Sequence, residues 1–369
     1  MNRIHFYAFC FVYAIAIVYL AITLPIGTHE AVVFYTDDTI LKNLTHFAEG
    51  WFGNGLDFRF PFVFFGLLNI PLFFLMSKQY FKSIDDSYFA TTIFALLPGI
   101  ITSAILVNIA VIVITLVMVF LILHAKKIIW LQVAVAMLLL FIHDASIIFF
   151  ISLAIFSAFK RDRLLFSISV FFIAISFLYF NNLKVGGHPS GAFLELFALY
   201  AALFSPLVFI YFFYALYRIW LREKKDILWY IAFSSFSLSI LLSLRQQVIM
   251  TDFAPYVIVA VVLMVLTYQR TLNVRLPEFQ KNYRLGFRIV FGSLILSALL
   301  IVLQKPLYLF YDDKTKHFTY PFYEPYWQVM ELREIGQECY TVTQSKVQFQ
   351  LKYHGIDACS ESGVSKIHR

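Results

Sequence analysis

The sequence predicts an all-α, polytopic integral membrane protein with about 11 transmembrane helices. Three observations indicate this class. Of the 369 residues, 61% are hydrophobic and 14% are charged, whereas soluble domains are about half apolar and a quarter charged. Apolar runs recur along the chain, and although several are short, others approach the ~20 residues that a spanning helix needs. Basic residues gather between alternate runs, as the positive-inside rule expects. A disordered chain, a cytosolic enzyme and a nucleic-acid binder are therefore excluded.

The apolar runs define the predicted spans in order. A break or kink is expected inside the third run, because Pro98 removes a backbone donor and Gly99 loosens the helix. The first run follows Arg3 but is longer than a signal-peptide core, so an uncleaved span is expected. The runs are 5–24, 59–77, 88–105, 106–123, 128–142, 144–159, 164–181, 197–217, 227–244, 255–268 and 286–303.

The distribution of basic residues predicts the topology. With a cytoplasmic N-terminus, the cytoplasmic segments hold 17 basic residues and the opposite short loops hold 4, namely Lys42, Arg59, Lys184 and Arg245. The net charge of +7 therefore reflects topology, not a nucleic-acid surface. We expect the cytoplasmic (inner) membrane if the protein is bacterial.

The chain divides, in this prediction, into a transmembrane domain over 1–304 and a small extracytoplasmic C-terminal segment over 305–369. That segment contains Cys339 and Cys359, and an extracytoplasmic compartment permits disulfides. The two cysteines could pair, or they could be free or buried thiols. Cys10 lies in the first predicted span.

Acidic residues give the main indication of chemistry. Glu30 directly follows the first span, and 31–50 reads as an amphipathic helix on the membrane surface with Asp37 and Asp38 in water. A carboxylate fixed there could take a proton from an acceptor hydroxyl. It could also be a surface acid or a helix N-terminal charge. Further acids expected on the same face include Asp144, Glu195 and Asp252.

Basic groups on that face are candidate phosphate ligands. Lys184 and His188 lie in a loop rich in glycine and proline that suits a phosphate or sugar group, or is a plain loop with a snorkelling lysine. Arg59 and Arg245 each offer a planar fork for phosphate oxygens, or pair with anionic lipids or nearby acids.

His143 and Asp144 form an adjacent pair between two spans. Such a pair could ligate a metal or orient a base, but a metal site needs three or four ligands. A metal requirement is therefore left open, and a divalent cation remains one option for a cofactor.

Four stretches, in this order, resemble the polytopic C-type (GT-C) glycosyltransferases, in the protein-mannosyltransferase and aminoarabinose-transferase-like branch. His-Glu-Ala at 29–31 is similar to that superfamily's acidic signature, and 56–62 to its Arg-x-Pro entry into the second span. The Pro-Gly break at 95–99 is similar to that of its third span. The loop at 187–191, followed by Glu195 and by Ser-Pro-Leu at 205–207, is similar to its later loop.

The resemblance implies a membrane transferase that uses a polyprenyl-phosphate-linked sugar, with Glu30 as the catalytic carboxylate. It departs from the family at His29, where an acid is common, and it lacks the Lys-Pro-Pro element of the aminoarabinose-transferase type. A single attack on the anomeric carbon would invert it, so we expect an inverting transfer. The acceptor, an extracytoplasmic glycan, lipid or protein, is left open, and membrane lipids are expected to surround the protein. Polymerases and ligases that use a lipid carrier stay close to this hypothesis. The alternatives are a transporter or flippase for a lipid-linked glycan, and a non-catalytic scaffold.

Overall fold

The computed structural model describes residues 3–36, 40–180 and 192–359, and within these ranges the backbone is helical. The β structure in these ranges is a single parallel bridge between Cys339 and Asp357. Short 3₁₀ helices cover Asp144–Ser146, Tyr308–Phe310 and Lys314–Lys316. The α-helices are α1 (Arg3–Thr23), α2 (Thr28–Thr36), α3 (Ile40–His46), α4 (Leu56–Ser77), α5 (Ile84–Leu96), α6 (Pro98–Ile105), α7 (Ala110–Ala125), α8 (Ile129–Ile142), α9 (Ile147–Lys160), α10 (Arg163–Phe180), α11 (Phe193–Phe204), α12 (Pro206–Arg222), α13 (Ile227–Ser243), α14 (Met250–Ile258), α15 (Val261–Val274), α16 (Pro277–Val302), α17 (Gln304–Leu307), α18 (Tyr320–Glu334) and α19 (Ser345–Tyr353).

The predicted all-α membrane class is confirmed at the level of its helices. In the described ranges, four stretches are long and apolar enough to cross a membrane: α1, α4, Met250–Val274 and α16. The number is six if each of two bent helix pairs is one span. Such lengths match the 20 or so residues that a bilayer requires, and the apolar helices indicate a membrane protein.

Both bent pairs break at a residue that precedes proline. The angle between α5 and α6 is 62°, and the angle between α11 and α12 is 104°. A residue before proline is disfavoured in the helical conformation, and Ser205, just before Pro206, adopts a φ of 75°. At the first break Gly99 packs closely, because an added Cβ would lie 3.0 Å from Ile258 and from Leu203.

The chain contains two compact units. The large unit comprises 1–14, 64–104 and 108–301, and the small unit comprises 15–63, 105–107 and 302–369. In the large unit, α14 and α15 form the core, since 78% of the Met250–Val274 window is buried against 17% of the α16 window. Helices α7 and α13 pack on α14, and α5 and α12 pack on α15.

The small unit is formed by segments that lie far apart in the sequence. It joins the first loop to the C-terminal segment, because α19 packs on α2 and α18 packs on α19. Sequence could not show this pairing, since the two segments lie some 300 residues apart and neither has a long apolar run.

The prediction of a single amphipathic helix over 31–50 is wrong. The ring centroids of His46 and Phe34 lie 4.2 Å apart, and His46 Nε2 lies 3.1 Å from the Phe34 carbonyl oxygen. In one continuous helix, residues this far apart would be separated by roughly 18 Å. The loop therefore folds back as α2 and α3, and Val33 is buried in the small unit instead of facing a membrane surface.

The C-terminal part of the small unit has its own apolar cluster and cross-link. Its core is formed by four buried residues that α18, α19 and the following turn supply: Val329, Leu332, Leu351 and Ile356. Cys339 and Cys359 are joined by a disulfide with their Cα atoms 4.9 Å apart. The cross-link closes a loop around α19 and holds the strand-like bridge at Cys339 beside Asp357.

Candidate functional site

The candidate site in the small unit is built around Glu30, in the first turn of α2. Gly27 is the residue before this helix, and its backbone N–H donates to Glu30 Oε2 at 2.8 Å. This is the reciprocal half of a capping box, in which the third helical residue bonds back to the N-cap N–H. The side chain is 2% exposed, so Glu30 is a buried carboxylate at a helix N-terminus.

Arg59, in the first turn of α4, binds this carboxylate with two parallel hydrogen bonds. Its Nε lies 3.0 Å from Oε1, and its Nη2 lies 2.6 Å from Oε2. Arg59 is fully buried. Arginine suits this role because its planar fork matches the two carboxylate oxygens.

The remaining N–H groups of Arg59 bind backbone carbonyl groups at the C-terminal end of α1 and just after it. Its Nη1 donates to the carbonyls of Ala21 at 3.0 Å and Leu24 at 2.6 Å, and its Nη2 also donates to the Pro25 carbonyl at 3.0 Å. The last carbonyls of a helix have no partner within the helix, and a cation there is favoured by the helix dipole. All five guanidinium donors are therefore used.

The Glu30 carboxylate is equally saturated. Oε1 accepts from Arg59 and from the backbone N–H of Val107 at 3.0 Å, and Oε2 accepts from Gly27 and from Arg59. A buried charge is stable only when it is paired and fully hydrogen-bonded. The Glu30 carboxylate is thus enclosed in a hydrogen-bond network in which each oxygen accepts two hydrogen bonds.

The C-terminal segment covers this network. Gln350 Nε2 donates to the Ile26 carbonyl at 2.8 Å, and the Tyr323 hydroxyl donates to the Thr23 carbonyl at 3.4 Å. Phe322 packs on Gly27 so closely that an added Cβ would lie 2.6 Å from its ring. A side chain larger than that of glycine at position 27 would displace Phe322.

Tyr353 completes the cover from α19. Its ring packs edge-on against those of Phe58 and Phe34, with centroid distances of 5.3 Å and 5.6 Å. Burial raises the pKa of the Tyr353 phenol to about 12, so it stays neutral at physiological pH. Sequence reasoning missed Tyr323, Gln350 and Tyr353, because no spacing or motif connects them with the first loop.

The other candidates of the first loop are more scattered. His29 is exposed, although it adjoins Glu30. Asp37 and Asp38 lie outside the described residues, as do Lys184 and His188 of the later loop. Glu30 and Arg59 are thus the two predicted site residues of the small unit that the structure brings together.

The large unit contains the remaining candidates. Glu195 is exposed and accepts a hydrogen bond from Gln247 at 3.3 Å. Arg245 is exposed in the turn that follows α13. Asp144 lies 3.6 Å from His143, measured from Oδ1 to Nδ1, and Asp252 lies 3.8 Å from His143 Nε2. In the described ranges, no group of three or more His, Cys, Asp or Glu side chains is arranged to hold a metal ion.

The chain matches no protein-family model and no curated protein. The resemblance to the C-type glycosyltransferases therefore stays a prediction from the residues that carry it.

Proposed function

We propose that this chain is a membrane glycosyltransferase that moves a sugar from a polyprenyl-phosphate-linked donor to an extracytoplasmic acceptor, with inversion. The supporting observation is the bidentate ion pair of Glu30 and Arg59. The resemblance names both residues at separate motifs, and the structure brings them to one point at the end of α1. An acid beside an arginine offers a base for a hydroxyl and a fork for a phosphate.

The reaction requires the ion pair to open, because all hydrogen-bonding positions of Glu30 are occupied. In our proposal the donor phosphate replaces Glu30 as the partner of Arg59. Glu30 then accepts the proton of the acceptor hydroxyl while the acceptor oxygen bonds to the anomeric carbon. The bond from that carbon to the phosphate oxygen breaks, and polyprenyl phosphate leaves with the electron pair. Attack opposite the leaving group inverts the anomeric centre.

The topology of the proposal follows the eleven predicted spans, with the N-terminus cytoplasmic. Four long helices, two bent pairs and four shorter apolar helices, together with α9, occupy the eleven predicted runs. We propose that each crosses the membrane, which puts Glu30 and the C-terminal segment on the extracytoplasmic face. Single cysteines placed at 50–55 should react with an impermeant maleimide from outside intact cells, and labelling only after lysis would overturn this topology.

The catalytic proposal is tested with Glu30→Gln in membranes given polyprenyl phosphate that carries radiolabelled glucose, mannose or galactose. Loss of a general base lowers the rate by about 10²-fold or more. Glu49→Gln is the matched control, because Glu49 lies in the same loop with its side chain exposed and paired to His46. Transfer by Glu30→Gln at the wild-type rate, with equal protein levels, would refute the assignment.

The second candidate is a flippase for a lipid-linked glycan, which the two broken helix pairs favour, because discontinuous helices line the substrate sites of many transporters. The same labelled lipids separate the two functions in proteoliposomes. A transferase releases polyprenyl phosphate and labels an acceptor. A flippase moves the intact lipid between leaflets with its sugar attached.

A further inference from the structure

A second cluster of polar side chains lies in the large unit, between the end of α8 and the start of α14. His143 lies between two carboxylates, with Asp144 at 3.6 Å from Nδ1 and Asp252 at 3.8 Å from Nε2. Both distances exceed those of direct hydrogen bonds. The His143 side chain is 5% exposed, whereas those of Asp144 and Asp252 are 71% and 27% exposed. The cluster therefore extends from a buried imidazole to carboxylates that solvent reaches.

Three buried polar atoms of this region have no hydrogen-bond partner among the residues that the structure describes. They are His143 Nε2, Ser146 Oγ and the Tyr256 hydroxyl. Leaving such an atom unpaired costs about 1–3 kcal/mol, so each one calls for a partner that the protein does not supply. By contrast, both oxygens of Glu30 and all five N–H groups of Arg59 are paired, although Gln350 Oε1 in the cover of that network is also buried without a partner among the described residues.

Tyr256 belongs to the same cluster. It lies one helical turn after Asp252 on α14, so the two side chains share a face. Its ring packs on Phe149 of α9 with centroids 5.8 Å apart.

The chemistry of these groups selects the kind of ligand. Burial lowers the pKa of His143 to about 4, so the imidazole is neutral at pH 7 and the carboxylates make the cluster negative. An anion such as phosphate would be repelled. A metal ion is not favoured, since no suitable group of three ligands exists in the described ranges. Hydroxyl groups fit, because each can donate to a carboxylate or an imidazole nitrogen and accept from a phenol.

We propose that His143, Asp252 and Tyr256 form a binding site for the hydroxyl groups of a saccharide. The choice of a saccharide over another polyol rests on the proposed function, since the substrate of that reaction carries a sugar. The predicted topology puts this cluster on the extracytoplasmic face.

The test uses the full-length chain in lipid nanodiscs and saturation-transfer NMR with three probes: methyl α-glucoside, methyl α-mannoside and methyl β-galactoside. At least one should bind the wild-type protein. Tyr256→Phe and Asp252→Asn should each weaken that binding by about five-fold or more, as expected for a lost hydrogen bond. Tyr200→Phe is the matched control, because Tyr200 is another fully buried tyrosine of the large unit, and its hydroxyl lies 3.1 Å from Ser239.

Each outcome supports or overturns the site. If no probe binds, or if both variants bind as well as the wild-type protein, then ordered water fills the cluster and the proposal fails. Should Tyr256→Phe not fold, Asp252→Asn carries the test, because its side chain is partly exposed. The transfer assay with radiolabelled polyprenyl phosphate sugars separates this proposal from the enzyme proposal. Probe binding without any transfer by the wild-type protein would refute only the transferase, and normal transfer without probe binding would refute only this site.

Discussion

The two polar regions of the molecule differ in how completely their groups are paired. Around Glu30 and Arg59, every guanidinium donor has an acceptor, and both carboxylate oxygens accept two hydrogen bonds. Around His143, three buried polar atoms have no partner within the described residues. Removing one partner of a saturated buried ion pair destabilises a fold, and the pair must open before either group can react. An unsaturated cluster leaves buried polar atoms whose lost hydration no protein group offsets, which costs stability.

The largest effect is expected from breaking the saturated pair. Arg59→Met leaves the Glu30 carboxylate buried without its cation, and breaking a buried pair costs about 3–5 kcal/mol of unfolding free energy. Chemical denaturation in detergent measures this loss. Arg245→Met is the control, since Arg245 is exposed and its loss should change stability little.

A double variant sharpens this result. Arg59→Met combined with Glu30→Gln leaves no lone charge in the interior, so it should be more stable than Arg59→Met alone. If Arg59→Met costs no more than Arg245→Met, the ion pair is not a structural element and the contrast between the two regions disappears.

This pairing also shows how far sequence reasoning extends. The apolar runs predicted the helices, because hydrophobicity over 20 residues is a local property. Glu30 and Arg59 were each predicted as site residues, but their bond joins positions 29 apart. Burial of Glu30 depends on Gln350 and Tyr353, whose contacts with the first loop no local pattern encodes. Asp144 was a candidate, whereas Tyr256 was not, since one more aromatic residue in an apolar helix carries no signal.

A smaller effect is expected from removing the disulfide that closes the C-terminal cover. Cys339→Ser with Cys359→Ser frees a loop of 20 residues, and losing such a cross-link costs about 2–4 kcal/mol. Hydrogen exchange should then increase at the N–H groups of Gly27 and Val107, which donate to Glu30. Cys10→Ser, in α1, is the control. Unchanged exchange at both amides would show that the saturated network holds without its cover.

The smallest effect compares one histidine from each unit, His354 of the small unit and His143 of the large unit. Burial, with Arg333 nearby, lowers the pKa of His354 to about 4, and burial lowers that of His143 to about 4. An unfolded histidine titrates near 6.5. Below that pH the unfolded state binds protons that the folded state does not, so stability falls as the pH drops from about 6.5 to 4.

Each histidine should contribute on the order of 1–3 kcal/mol to this acid sensitivity. Thermal unfolding between pH 7 and 4 measures it, and His354→Gln and His143→Gln should each flatten the profile. His5→Gln is the control, because it replaces an exposed histidine of α1. If the unfolding temperature of both variants falls with pH as steeply as that of the wild-type protein, other groups cause the acid sensitivity.

The hydrogen bond from Gln350 to Ile26 has a consequence for the order in which the chain matures. It joins residues 324 positions apart, so ribosomal synthesis supplies the two partners at widely separated times. The Glu30–Arg59 bond can form soon after α4 emerges, while its cover is still unmade. At a synthesis rate of about 5–20 residues per second, the first loop waits tens of seconds in contact with water or lipid. During that interval the nascent chain carries an open carboxylate–guanidinium pair that the mature protein encloses.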